Sequence, residues 1–207
     1  MDNPSDYRIT TIEQLRTLIG VPHPATPRKL LRALDDLAVN FIGRAPFMVL
    51  GTADAEGNQD VSPKGGEPGF VVVQDRNTLL VPDRKGNKLL FGLQNVLANP
   101  HVGLIFMVPG TDETLRVNGT AELSVDPVTL SRLSCNGSAA QIAIRVSVRE
   151  CFFHCAKALI RSQLWKPESW SEKIRFSWGR YLATRSDGEG AAEKIDRMVE
   201  FDYKNNL

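Results

Sequence analysis

FMVLGTADAEGNQDVSPKGGEPGFVVVQDRNTLLVP, residues 47–82, decides the fold. Phe47 to Ala53 reads as a strand, Glu56-Gly57-Asn58 as its turn, and Gln59 to Lys64 as the returning strand. Gly65, Gly66, Pro68 and Gly69 interrupt the pattern, which then repeats: Phe70 to Gln74, a turn at Asp75-Arg76-Asn77, and Thr78 to Pro82. Strands this close in sequence pair antiparallel, because a parallel pair needs a crossover of a dozen residues or more.

Toward the C-terminus the period changes to that of a helix. The spacing predicts one over 87–98, with Leu89, Leu90, Leu93, Val96 and Leu97 on one face and Asn99-Pro100 as its stop. His101 to Val108 is almost wholly apolar, as in a strand covered on both faces. Glu113 to Leu123 alternates: Leu115, Val117, Ala121 and Leu123 point one way, and Thr114, Arg116, Asn118, Thr120 and Glu122 the other. A short helix is expected from Asp126-Pro127 to Leu133. A further strand follows over Gln141 to Glu150, alternating Ile142, Ile144, Val146 and Val148 with Arg145, Ser147 and Arg149. Six or more short strands in sequential hairpins, with one helix between them, predict a closed or nearly closed antiparallel barrel. A doubly wound parallel sheet would need helices between most strands, and there are too few.

The ends read as helical. Thr11 to Gly20 carries Ile12, Leu15, Leu18 and Ile19 at helical spacing and stops at Gly20 and Pro22. Thr26, with Pro27 at the first helical position, opens a second helix expected to run to about Phe41. Ser186 to Ala192, rich in Gly and small residues, reads as a linker to an amphipathic helix over 192–203. The expected organisation is a helical flank over 1–45, a barrel over 46–153 and a helical extension over 154–207 packed on the barrel, in one domain.

A chain of 207 residues with a net charge of +1 has room for one core and no field to attract nucleic acid or a membrane surface. No uncharged apolar run is long enough to span a bilayer, and the first residues lack a secretory apolar stretch, so a cytoplasmic location is expected. The three cysteines, Cys135, Cys151 and Cys155, are an odd set that a chain of this size does not need for stapling. Cys151, His154 and Cys155 fall short of a closed zinc site, and neither His23 nor His101 stands at ligand spacing, so no metal is expected.

Arg84, Lys85 and Lys88 fall where the central helix is expected to begin. Cations there face the positive end of the helix dipole, a conflict that a bound anion would resolve; the alternative is a basic solvated loop. Farther on, a helix over 151–165 would place His154, Lys157 and Arg161 on one stripe, with Ser162 and Trp165 near its end. That stripe reads either as a solvated face near a helix C-terminus or as a wall recognising an acidic substrate, with Trp165 stacking on a ring.

GTADAEGNQDVSPKGG (51–66), LLVPDRKGNKLLFGLQNVLANPHVGL (79–104) and ETLRVNGTAEL (113–123), in that order, resemble the pyridoxamine 5'-phosphate oxidase-like flavoproteins, the FMN-binding split-barrel family. The resemblance implies a mainly β, α+β fold: a six-stranded antiparallel split β-barrel, Greek-key-like, with flanking helices. It implies FMN as cofactor, bound in a homodimer at the subunit interface. Its phosphate would be held by Ser62, Lys64, Arg84, Asn87 and Lys88, and the backbone of Val81, Pro82 and Asp83 would run along its ring. Glu113, Thr114 and Arg116 would reach it from the other subunit. FFHCAKALIRSQLW (152–165) is similar to a segment of one subgroup, which makes His154, Lys157, Arg161 and Trp165 candidates for substrate contact. The family's substrate-binding C-terminal signature is not recognisable in residues 176–207, so vitamin B6 oxidation is not implied. The implied activity is an FMN-dependent oxidoreductase acting on a small organic substrate. The alternatives are a flavin-binding or storage protein without catalysis, and a haem-binding relative with His154 as axial ligand.

Overall fold

β1 (Phe47–Ala53) and β2 (Gln59–Gly65) pair antiparallel from Phe47 opposite Gly65 to Ala53 opposite Gln59. Asp54 closes their turn: its carboxylate accepts hydrogen bonds from the backbone amides of Glu56 and Asn58 at 3.0 and 2.8 Å, and Gly57 supplies the positive φ of 88°. The second hairpin is β3 (Val72–Asp75) with β4 (Thr78–Asp83). The computed structural model describes residues 7–86, 88–134, 139–183 and 190–205.

β5 (His101–Met107), β6 (Thr114–Ser124) and β7 (Ile142–His154) complete one antiparallel sheet of seven strands in the order β2-β1-β5-β6-β7-β4-β3. β3, a short edge strand paired with β4, falls where the second hairpin is expected, and the strands total seven against the six that the resemblance implies. Phe70 and Val71, expected at the start of β3, instead turn into the core. The sheet curls around a single cluster that includes Met48, Leu50, Val81, Phe106, Leu115, Val117 and Ile144, all at most 2% exposed. β2 and β3 end the sheet without pairing to each other, so the barrel is split. β6 and β7 slip register between Asn118 and Gly119. A Cβ at Gly119 would lie 2.1 Å from the Ser147 carbonyl oxygen, so only glycine fits there.

Three of the helices pack against the sheet. α1 (Ile12–Ile19) is held by a capping box between Thr11 and Gln14 and buries no residue. The single helix expected from Thr26 to Phe41 is two pieces. A 3-10 turn, Thr26–Lys29, leads into an extended strap in which Leu31 bridges to Cys151. α2 (Asp36–Arg44) then begins behind Asp35, whose carboxylate accepts from the Ala38 amide at 2.8 Å. α3 (Phe91–Ala98) packs Leu93 and Val96 into the core and starts four residues later than the spacing suggests. α4 (Pro127–Arg132) is capped by Asp126.

β7 continues to His154, so the helix expected from Cys151 is reduced to α5 (Lys157–Ser162). The strand persists because Cys151 is paired on both sides, to Val117 of β6 and to Leu31 of the strap. α6 (Trp178–Ala183) and α7 (Ala191–Asn205) pack on each other so closely that a Cβ at Gly179 would lie 2.0 Å from the Ala192 carbonyl oxygen. Most of the linker expected before α7, and Cys135, lie outside the described residues. No helix among the described residues is long and apolar enough to cross a membrane.

Candidate active site

The two lips of the split face each other across a cleft of about 480 Å³. Its floor is Leu50 of β1, Ile144 of β7 and Leu93 of α3. Lys64 of β2 and Asp83 at the end of β4 form an ion pair across the opening, joining strands that share no backbone hydrogen bond. Each side chain is under 20% exposed, so the pair is only partly screened by water.

Alternation in β2 sends Asp60, Ser62 and Lys64 to the cleft together. The Ser62 hydroxyl donates to Asp60 Oδ2 at 2.7 Å. Opposite stands the start of α3, where no side chain caps the helix, and Lys88 and Leu90 adopt φ of 61° and 62°. That left-handed backbone costs energy in non-glycine residues. Gly92 leaves the first turn bare: an added Cβ would meet Asp60 Oδ2, Ser62 Oγ and Thr52 Oγ1 at 3.4 to 3.8 Å. Asn95 Nδ2 donates to that Thr52 hydroxyl at 3.1 Å, tying α3 to β1.

The charges around the cleft do not balance. Lys64, Arg84, Lys85 and Lys88 line it against Asp60 and Asp83, an excess of two positive charges among the described residues. Arg84 donates to the Leu133 carbonyl at 3.0 Å, which anchors its guanidinium beside the end of α4. The basic residues expected on the first turn of α3 thus lie in the loop before it, at the rim of the cleft.

Ser62, Lys64, Pro82, Asp83, Arg84 and Lys88, named from the sequence, meet at this cleft. Asn87 lies outside the described residues. The Val81 side chain is buried in the core, leaving its backbone as the part a ligand could meet. The sequence reading did not name Asp60, Gly92 or Gln141, which also line the cleft. Asp60 was within reach, since it shares the alternation of Ser62 and Lys64. Gln141 comes in only through its amide bond to the Asp83 carbonyl at 2.9 Å, a contact between distant segments.

Glu113, Thr114 and Arg116 stand elsewhere. Thr114 pairs with His154 at the far end of β7 from Ile144, roughly 30 Å along the strand. Glu113 is exposed ahead of β6, Thr114 is buried at 4%, and Arg116 sits 5.9 Å from the Phe152 ring centre. His154 belongs to β7, not to a helical stripe, and only Lys157 and Arg161 share α5. Trp165 Nε1 donates to the Thr111 carbonyl at 2.9 Å, which fixes the indole against the β5–β6 loop. His154 Nδ1 is buried and has no hydrogen-bond partner among the described residues. Burial first, and the Arg116 and Lys29 charges next, hold its pKa below the ordinary 6.5.

Comparison with known proteins agrees with this architecture. A family model described as pyridoxamine 5'-phosphate oxidase matches residues 34–155. No curated protein matches the chain. Among solved structures, HupZ of Group A Streptococcus shares 15% identity over 58% of this chain and 93% of its own, with a TM-score of 0.48. A putative pyridoxamine 5'-phosphate oxidase of Lactobacillus delbrueckii shares 25% identity over 59% of this chain and 95% of its own, with a TM-score of 0.44. An FMN-binding protein of Syntrophomonas wolfei shares 9% over 56% of this chain and 81% of its own, with a TM-score of 0.43. The matched span runs from the strap through all seven strands, and the chain belongs to the pyridoxamine 5'-phosphate oxidase-like family.

Proposed function

We propose that the chain is an FMN-dependent oxidoreductase acting on a small organic substrate, with the flavin phosphate seated in the cleft at the split of the barrel. The observation that carries this reading is the excess of two positive charges around the uncapped start of α3. A phosphate monoester carries about −1.5 to −2 at neutral pH, which matches that excess. The Lys64 ammonium has three donors, so its bond to Asp83 leaves others for a phosphate oxygen. Ser62 can turn its hydroxyl from Asp60 to the ligand, while Lys88 and Arg84 close the rim. The bare first turn at Gly92 lets the ligand approach the backbone.

When bound, FMN supplies the hydride or electron transfer, and the protein has to bind and orient it. The backbone of Val81 to Asp83 forms the wall for its ring. Glu113, Thr114 and Arg116 lie too far from the cleft of their own subunit to take part, and they serve the flavin of a second subunit in a homodimer. The 1–45 flank, 46–153 barrel and 154–207 extension are the corresponding units, in a protein working in the cytoplasm.

Titration of cofactor-free protein with FMN tests the reading. Stoichiometric binding is expected in the native chain. The Arg84→Ala/Lys88→Ala variant, still folded, should bind at least about a hundredfold more weakly, since each charge-assisted bond contributes roughly 1.5 to 3 kcal/mol. Equal affinity in both proteins would remove the phosphate from this cleft. Reoxidation of reduced flavin by a small acceptor faster than by dissolved oxygen would separate an oxidoreductase from a flavin-storage protein.

A further inference from the structure

A second cluster of positive charge lies where the strap crosses β7, with no ion pair to it among the described residues, although Asp35 lines the same hollow as Lys29. Leu31 and Cys151 exchange backbone hydrogen bonds of 3.0 and 2.8 Å, which brings the end of the 3-10 turn beside the strand. Lys29 Nζ is thereby held 5.4 Å from the Phe152 ring centre. Arg116, the register partner of Phe152 on β6, approaches the same ring with Cζ at 5.9 Å. His154 follows Phe152 by two residues and so shares its face of the strand, opposite Thr114.

Three features of this arrangement are unfavourable as they stand. Two cations share one aromatic ring, and their mutual repulsion opposes the attraction each has for it. Among the described residues neither Lys29 nor Arg116 lies within ion-pair distance of a carboxylate, and the neighbouring Glu113 is exposed and unpaired with them. His154 Nδ1 is buried without a partner, the single such side-chain atom among the described residues. One ligand would relieve all three. An oxyanion lying between the cations would accept from the planar guanidinium fork and from the ammonium, and could accept from the imidazole N–H.

We infer that Lys29, Arg116 and His154 form a receptor for a carboxylate or phosphate group carried by a small molecule. Lys29 precedes the matched family span of 34–155, so the receptor depends on this chain's strap as well as on the barrel. It is distinct from the cleft at the split of its own chain, which lies near the opposite end of β7; it adjoins Thr114 and uses Arg116, residues that the flavin reading turns toward a second subunit, but its anion binding requires no flavin.

Imidazole NMR of the full chain tests it, because His23, His101 and His154 are the only histidines. Succinate and inorganic phosphate are titrated separately. A saturable shift of the His154 resonance with either anion, without a matching shift of His101, is expected, and the responding anion identifies the group recognised. The K29Q/R116Q variant should bind that anion about tenfold or more weakly. K29Q alone, at an exposed position of the strap, should weaken it in the same direction and serves if the double variant fails to fold. FMN affinity of K29Q should equal that of the native chain. No saturable His154 shift with either anion, or unchanged anion affinity in K29Q, would overturn the receptor. So would a parallel loss of FMN and anion affinity in K29Q, because the oxyanion would then be the flavin's own. A chain that fails to bind FMN but shows the His154 response would keep the receptor and lose the flavin reading.

Discussion

His154 ends β7 with a buried ring nitrogen that has no hydrogen-bond partner among the described residues, and the consequence is a pH dependence of sign opposite to that of a salt-bridged histidine. Its native pKa lies below the ordinary 6.5, chiefly through burial and then through Arg116 and Lys29. The unfolded chain therefore takes up the proton more readily than the native one. Above 6.5 the group leaves stability unaffected by pH. As pH falls from there toward the lowered native value, stability is lost, and below that value the loss levels off. Urea midpoints at about pH 7.5 and about pH 5.5 should therefore differ less in His154→Gln than in the native chain. An unchanged difference would mean that the imidazole is solvated in solution. Nothing in the spacing of residues 151–165 shows this environment, because Lys29 and Arg116 reach Phe152 from separate parts of the chain.

At the scale of elements, the hairpins of residues 47–82 and the alternation of 113–123 and 141–150 were legible because sheet periodicity and turn residues are local signals. The two helices misread have one cause. Residues 26–41 and 151–165 both carry leucines and other apolar residues at helical spacing, yet Leu31 and Cys151, 120 positions apart, pair with each other. That bridge straightens both segments at once, and it leaves no trace in either one alone. The late start of α3 is a different matter: Lys88 and Leu90 take left-handed backbone that their residue types disfavour, so local propensity points the wrong way. Such strain collects at functional sites, and here it borders the candidate cleft. The α6–α7 pair turns on Asp196, which accepts from the Gly179 amide and the Ser177 hydroxyl, both at 2.7 Å. Those bonds, the Gly179 amide first, hold its pKa below the ordinary 3.8. The stabilisation is complete above 3.8 and is lost as pH falls through the lowered native value. Asp196→Asn should loosen the pair already at neutral pH, seen as a shift of the Trp178 indole N–H resonance, which reports its bond to the Tyr203 hydroxyl. A native-like resonance in the variant would assign the packing to the close approach of Gly179 and Ala192.

For the whole molecule, the open sheet makes ligand binding and stability one question. The edge strands β2 and β3 are not joined to each other, and the Lys64–Asp83 ion pair is the polar link across the cleft between β2 and the end of β4. A phosphate accepting from Lys64, Arg84 and Lys88 would connect the same two lips and the loop before α3, all of which separate when the barrel unfolds. A ligand that binds only the folded state stabilises it by RT ln(1 + [L]/Kd), about 2.7 kcal/mol at a hundred times Kd. FMN at that excess should therefore raise the unfolding free energy of the native chain by about that amount. At the same FMN concentration the Arg84→Ala/Lys88→Ala variant should show less than about 1 kcal/mol, because its site is no longer saturated to the same degree. If the flavin sits between two subunits, the gain also grows with protein concentration, since dimerisation and FMN binding then draw on one equilibrium. A gain independent of protein concentration would place the whole site within one chain and release Glu113, Thr114 and Arg116 from any part in it.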